Sequence, residues 1–116
     1  MTDGQTSSGE TYYITTPIYY VNDNPHIGHI YTSLACDVLA RFMRLDNRRV
    51  VFLTGTDEHG QKVERSAQAH GMEPQAFADS MAENFRDIAR NWQISHDDFI
   101  RTTEDRHVRA AQAIWQ

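Results

Sequence analysis

Tyr12-Tyr13-Ile14-Thr15-Thr16-Pro17-Ile18-Tyr19-Tyr20-Val21-Asn22-Asp23-Asn24-Pro25-His26-Ile27-Gly28-His29 is the stretch on which the fold turns. From Tyr12 to Ile18, β-branched and aromatic residues dominate without strict alternation, which predicts a strand buried on both faces of a parallel sheet. Asn24-Pro25 then reads as an N-cap followed by a first-turn proline, so a helix is expected from Pro25. Within it Ile27, Ile30, Tyr31, Leu34, Val38, Leu39, Phe42 and Leu45 recur at steps of three and four. That spacing predicts one apolar stripe packed on a sheet and a helix end near Asp46 or Asn47. The apolar run Val50 to Thr54, bounded by Asn47 and Gly55, predicts a second strand. A strand returning after so long a helix implies a right-handed parallel crossover.

Working outward, a helix from Gln61 to Ala69 is expected to close at Gly71. Pro74 opens another, carrying Phe77, Met81, Phe85, Ile88 and Trp92 and ending between Asn91 and Ile94. Asp98 to Arg101 reads as a short third strand, and Thr102 or Thr103 as the cap of a last helix bearing Val108, Ala111, Ile114 and Trp115. No Gly or Asn stops that helix, and the expectation is that the native chain continues. Residues 1–10, mostly Ser, Thr, Gly and Gln, read as a flexible leader, with order from Thr11 through residue 116. Alternating strands and helices predict an open α/β sheet, whose ligands bind beyond the carboxyl ends of the strands.

At 116 residues the chain is one domain or part of one, and 40% apolar with 23% charged residues is a globular balance. No apolar run approaches the roughly 20 residues that span a bilayer and the opening residues lack a signal-peptide layout, so a cytoplasmic protein without membrane partners is expected. Cys36 is the single cysteine, which excludes an internal disulfide or a cysteine cluster for zinc and predicts a small buried thiol on a helix. The net charge of -5 leaves no broad surface for a phosphate backbone, so any RNA contact is local or lies elsewhere.

Pro25-His26-Ile27-Gly28-His29 stands where the first strand turns into its helix, with backbone amides and the positive end of the dipole facing the ligand crevice. An anionic ligand is expected there. His26 and His29, three apart, share a helix face and reach one phosphate together, and Gly28 has no side chain to obstruct a flat ring. The same pair could bind zinc, although further ligands nearby in sequence are not evident, or could be an inert helix start. Asp57 reads either as a carboxylate meeting a substrate cation past the second strand or as the cap of the next helix. Tyr20 reads either as a core aromatic or as a ligand contact. Glu58, His59 and Lys62 are expected to fix their loop, and His70, His96 and His107 to be solvated.

Thr15-Thr16-Pro17-Ile18-Tyr19-Tyr20-Val21-Asn22, Pro25-His26-Ile27-Gly28-His29 and Thr54-Gly55-Thr56-Asp57-Glu58-His59-Gly60-Gln61-Lys62, in this order, resemble methionyl-tRNA synthetases, with the likeness running from Tyr12 to Gln116. The resemblance implies the first half of the Rossmann-like nucleotide-binding fold of class I synthetases. It implies a ligase that activates methionine with ATP and Mg²⁺ to methionyl-adenylate and passes the methionyl group to tRNA(Met). By the same resemblance His26 and His29 stabilise the reacting phosphorus, Gly28 lies under adenine, Asp57 and the Ile18 backbone hold the methionine ammonium, and Tyr20 lines the side-chain pocket. No metal ligand is implied among these residues. Zinc-binding cysteines, the second half of the nucleotide fold, the loop that closes over the triphosphate and an anticodon-binding domain belong to longer relatives. Rival readings are another class I synthetase, a free-standing nucleotidyl transferase, and a non-catalytic ATP-binding fragment. The cysteinyl enzyme carries a zinc-bound cysteine where this chain has Thr16.

Overall fold

The computed structural model describes residues 9–116; the expected leader, except for Gly9 and Glu10, lies outside the described residues. In chain order the elements are β1 (Thr11–Thr15), β2 (Tyr19–Tyr20), α1 (Ile27–Leu45), β3 (Arg49–Asp57), α2 (Gln61–Ala69), α3 (Pro74–Asn91), β4 (Asp98–Arg101) and α4 (Asp105–Trp115). Every strand pairing among the described residues is parallel, with β3 hydrogen-bonded to β1, β2 and β4. This is the parallel α/β sheet that the alternation of elements predicts.

The first strand is broken where continuity was expected. Leu53 pairs with both Thr15 and Asp98, and Thr56 with both Tyr19 and Arg101. A strand residue has one neighbour on each side, so β1 and β2 share one edge of β3 and β4 takes the other. Between Thr15 and Tyr19 the chain advances by four residues while β3 advances by three, from Leu53 to Thr56. Residues 16–18 are therefore a bulge, and Pro17 at its centre has no N–H for a ladder. Burial also departs from expectation: Tyr13 is 58% exposed while Ile14 packs on the core, so β1 has one covered face among the described residues.

β3 runs past Gly55 to Asp57, well beyond the Thr54 expected. Gly55 read as a stop is instead a close approach: a Cβ there would sit 1.9 Å from the Ile100 carbonyl oxygen of β4. Two apolar clusters hold the helices. Val21, Val63, Ala67, Phe77, Ala78, Met81 and Phe85 join α2 and α3. Ala40, Phe52, Ala89 and Ile94 join α1 and the end of α3 to β3.

Most of the apolar stripe expected to seat α1 on the sheet faces outward instead, although Leu34 packs on the core and Ile30 is half-buried. Ile27, Tyr31, Val38, Phe42 and Leu45 are exposed, and the buried residues of α1 are Ser33, Asp37 and Ala40. The reason is a set of polar anchors on the inner face. Asp37 accepts hydrogen bonds from the Ser95 N–H (2.7 Å) and hydroxyl, and Arg44 donates to the Ser95 hydroxyl and carbonyl. Cys36 is half-buried there, beside the core, and burial pushes its thiol pKa up.

Three helices end on one device. Asn47, Gly71 and Gln93 take positive φ, and the following residues, Arg48, Met72 and Ile94, donate back to the Met43, Ala67 and Ala89 carbonyls. These are Schellman ends, of which only the one at Gly71 is announced by a glycine. The last helix differs from expectation at both ends: its N-cap is Glu104 rather than Thr102 or Thr103, and Ile114 and Trp115 are about nine-tenths exposed.

Candidate active site

The helix starts two residues later than Asn24-Pro25 predicts. His26, in extended backbone (φ -133°), is the N-cap of α1, and Pro25 lies outside the helix. The cap is reciprocal: His26 Nδ1 accepts the Gly28 N–H at 3.0 Å, and His29 Nδ1 accepts the His26 N–H at 2.9 Å. Both Nδ1 atoms are acceptors, so in the neutral rings both protons sit on Nε2. The capping geometry thus selects one tautomer for both imidazoles, whose rings lie 4.0 Å apart between centroids. No acidic residue occupies the first turn of α1, so the positive end of the helix is left for a ligand.

Gly28 has a reason to be glycine apart from the flat ring expected above it. A Cβ there would come within 2.8 Å of His26 Cε1 and displace the imidazole from its cap. His29 is held from behind. Tyr19 meets its ring edge-on at 4.8 Å and Phe85 does so at 5.0 Å, and Tyr19 itself stacks on Phe85 and pairs its hydroxyl with Ser33 at 3.0 Å. Burial, and next the neighbouring His26, lower the pKa of His29, which favours the neutral tautomer that the cap requires. Burial also raises the pKa of Tyr19, keeping its hydroxyl protonated.

A cavity of about 400 Å³ opens beside the cap, lined among others by Ile18, Tyr20, Asn24, His26 and His29. Tyr20 also lines a second cavity with His59 and Lys62, so it stands between the two. At 55% exposed it is a wall of open space, not a core aromatic. Asp57 lines neither cavity. It is the last residue of β3 rather than past the strand, directly opposite Tyr20 in the ladder. Nor does it cap α2, whose N-cap is Gly60. The structure therefore brings Ile18, Tyr20, His26 and His29 together on one cavity, joins Asp57 through Tyr20, and sets Gly28 behind the His26 ring.

Glu58 and His59 fix their loop as expected. The Glu58 side chain is fully buried, gripped by Arg101 Nε and Nη2 at 2.7 and 2.8 Å and by the Thr56 and Thr103 hydroxyls. Burial pushes the Glu58 pKa up, but these bonds outweigh it and the carboxyl titrates below its usual range. His59 Nε2 lies 3.2 Å from the Thr102 carbonyl. The grip of Arg101, Thr102 and Thr103 on Glu58 has no sign in the sequence, where Thr102 and Thr103 read only as helix caps, because Glu58 lies more than forty residues away in the chain. Tyr19, just past the expected first strand, and Phe85, on the expected α3 stripe, likewise carry no local sign of their contact with His29. Among the histidines expected to be solvated, His70 is exposed, whereas His96 and His107 are half-buried and His96 Nδ1 is buried without a partner. Among the described residues no group of three or more His, Cys, Asp or Glu side chains is arranged to hold a metal.

A parallel α/β unit whose first helix presents two Nε2–H donors and an uncompensated positive end to an open cavity is a nucleotide- or phosphate-handling fold. The family model described as tRNA synthetases class I (M) matches residues 12–116, and the chain belongs to that family. A methionine–tRNA ligase of Rickettsia bellii is 62% identical over 106 residues, covering 91% of this chain and 21% of the relative. One from Mesorhizobium japonicum is 54% identical over 109 residues, covering 94% and 21%. Among solved structures, Mycobacterium tuberculosis methionyl-tRNA synthetase in complex with methionyl-adenylate superposes with a TM-score of 0.90 at 46% identity, over 91% of this chain and 21% of that one. The chain thus spans about a fifth of the length of the relatives it matches, and the match falls on the N-terminal part of their catalytic Rossmann-like domain. No helix among the described residues is long and apolar enough to cross a membrane.

Proposed function

We propose that residues 11–116 are the N-terminal half of the catalytic domain of a cytoplasmic methionine–tRNA ligase, and that they supply its ATP and methionine contacts. The observation that carries this reading is the reciprocal histidine cap, which leaves both Nε2–H groups free on one cavity at the positive end of α1. In the reaction the methionine carboxylate attacks the α-phosphorus of ATP. A carboxylate O–P bond forms, the bond to the bridging oxygen breaks, and pyrophosphate leaves with that electron pair. His26 and His29 donate to the non-bridging oxygens as negative charge builds on them. One such donor is worth roughly 2.7–4 kcal/mol where it acts mainly on the transition state.

Gly28 leaves room for adenine, the Ile18 backbone and Asp57 receive the methionine ammonium, and Tyr20 lines the side-chain pocket. Mg²⁺ enters as part of the ATP complex, held by the triphosphate. The methionyl group then passes to tRNA(Met), whose main contacts are expected outside this acidic segment. The relatives' names and the methionyl-adenylate in the solved neighbour support the choice of amino acid.

The test is methionine-dependent exchange of labelled pyrophosphate into ATP by a chain of the relatives' full length, with leucine and cysteine as controls. Exchange with methionine alone, falling roughly 100- to 1,000-fold in His26→Ala or His29→Ala, is expected from the loss of an oxyanion-type donor. Exchange with leucine or cysteine in place of methionine, or none with any of them, overturns the reading. A second reading, ATP binding without adenylate formation, applies to the 116 residues alone, because they span only a fifth of their relatives' length. Nucleotide binding without exchange by this segment distinguishes it.

A further inference from the structure

At the carboxyl end of β3 two adjacent carboxylates are treated in opposite ways. Glu58 turns inward, with none of its side chain exposed, and is gripped bidentately by Arg101 and by two threonine hydroxyls. Its own N–H donates to Thr102 Oγ1 at 2.8 Å, and Thr102 N–H donates to the Thr56 carbonyl at 3.2 Å. Arg101 also reaches Asp79 on α3 at 2.5 Å. Asp57, by contrast, has no hydrogen-bond or ion-pair partner for its carboxylate among the described residues. The residues on both sides of it, Thr56 and Glu58, are thus tied to the Arg101–Thr103 segment, while its own charge is left available.

A buried carboxylate without its cation is strongly disfavoured and draws in water or any ammonium within reach. Arg101 satisfies Glu58 with a fork that matches both oxygens, which a lysine cannot reproduce. It therefore does two things at once: it fixes the backbone that aims Asp57, and it removes Glu58 as a competing anion one residue away.

We propose that Arg101 is a positioning residue for the substrate's α-ammonium group, acting through the Glu58 clamp to make Asp57 the single available carboxylate at the end of β3. This deepens the proposed function and rests on the assignment of Asp57 to that ammonium. Arg101 touches no substrate in this scheme.

The experiment uses a chain of the relatives' full length and pyrophosphate exchange, with methionine as substrate and 4-(methylthio)butanoate, which is methionine without its amine, as competitive inhibitor. Arg101→Met is expected to raise the KM for methionine roughly 10- to 100-fold, the scale of a small misplacement transmitted from outside the reacting centre. The KM for ATP and the inhibition constant of the amine-free analogue stay within about twofold, since neither ligand uses the ammonium contact. Arg101→Lys, which keeps the charge and loses the fork, falls between. Should Arg101→Met fail to fold, Glu58→Gln combined with Arg101→Met removes both charges, and the selective loss for methionine is expected to remain. An equal loss for methionine, its amine-free analogue and ATP overturns the proposal, as does no loss at all. Wild-type protein without methionine-dependent exchange is a different result: it removes the underlying assignment, and the proposal falls with it.

Discussion

Helices α1 and α3 are almost equal in length, 19 and 18 residues, and they face the same sheet with opposite chemistry. α3 buries Phe77, Ala78, Met81, Ala82, Phe85 and Ala89, an apolar face at helical spacing. α1 turns most of its own apolar stripe outward, keeping Leu34 against the core, and its fully buried residues are Ser33, Asp37 and Ala40. The difference lies in what each helix must do. α3 contributes core, and at the site it sets Phe85 against the His29 ring. α1 has to hold an imidazole cap in register at its first turn, and directional bonds to Ser95, Tyr19 and Gln93 fix a helix in rotation and translation more sharply than apolar contact does.

The sharpest way to break this comparison is to cut both helices at an aromatic. Phe77→Ala on α3 is expected to destabilise by about 3–5 kcal/mol, the range for deleting a buried aromatic. Phe42→Ala on α1, where the ring is 59% exposed, is expected to change stability by no more than about 0.5 kcal/mol. Urea unfolding of both variants reads the contrast, and similar losses would mean that α1 is held by its apolar face after all. Next in size is Asp37→Ala. It leaves the Ser95 N–H and Arg41 without their carboxylate, and a loss of about 2–3 kcal/mol is expected for charge-assisted bonds at a buried site. A neutral result in the same unfolding assay would remove the polar-anchor account.

Acid provides a third test. At Asp37 and Glu58 burial pushes the carboxyl pKa up, but hydrogen bonds outweigh it and both titrate below their ordinary values. With the folded value depressed, the unfolded chain binds protons first, so this stability is fully present above the unfolded pKa of about 4 and is lost as pH falls through the folded values. Midpoints of urea unfolding at pH 7, 5 and 3 are expected to fall only slightly between the first two, by the His29 contribution, and clearly at the third. His29 adds a smaller loss starting higher, because its folded pKa lies below the unfolded value of about 6.5. Protonating it removes the acceptor for the His26 N–H, so activity is expected to fall on the acid side of that value before the fold does.

Where sequence and structure agree, a local signal exists; where they part, the deciding contact is distant in the chain. Pro74, the Phe77-Met81-Phe85 spacing and Gly71 announce α2 and α3 correctly, since propensity, capping and apolar period all act within a turn or two. The inward face of α1 was misread because an apolar stripe says only that a face is apolar. The partner that rotates the helix, Ser95, lies 58 residues beyond Asp37. The bulge at residues 16–18 centres on Pro17, whose missing N–H bars it from a ladder, although the run of β-branched and aromatic residues around it reads as one continuous strand. At the site His26, Gly28 and His29 were legible from their place between strand and helix. The cap that orients them was not, as His is seldom an N-cap and Asn24-Pro25 offered the more usual one. The Arg101 clamp on Glu58 left no sign in either segment by itself.

The smallest test concerns a residue that has no apolar or charged part in either helix contact. Gln93 ends α3 with φ 53°, the left-handed conformation that side chains resist and glycine accepts. Its neighbour Ile94 completes the Schellman bond to Ala89 and packs in the cluster under α1, so this strained residue joins the α3 end to the face that α1 covers. Gln93→Gly relieves the strain but frees the unfolded chain, and the two effects partly cancel, leaving an expected gain of about 0.5 kcal/mol. The carbonyl that receives Arg41 belongs to the backbone and survives the substitution. A gain read as a small rise in the urea midpoint, unchanged in an Asp37→Ala background, places the strain in α3 alone. A gain that vanishes there means that the polar anchoring of α1 is what forces Gln93 into its conformation.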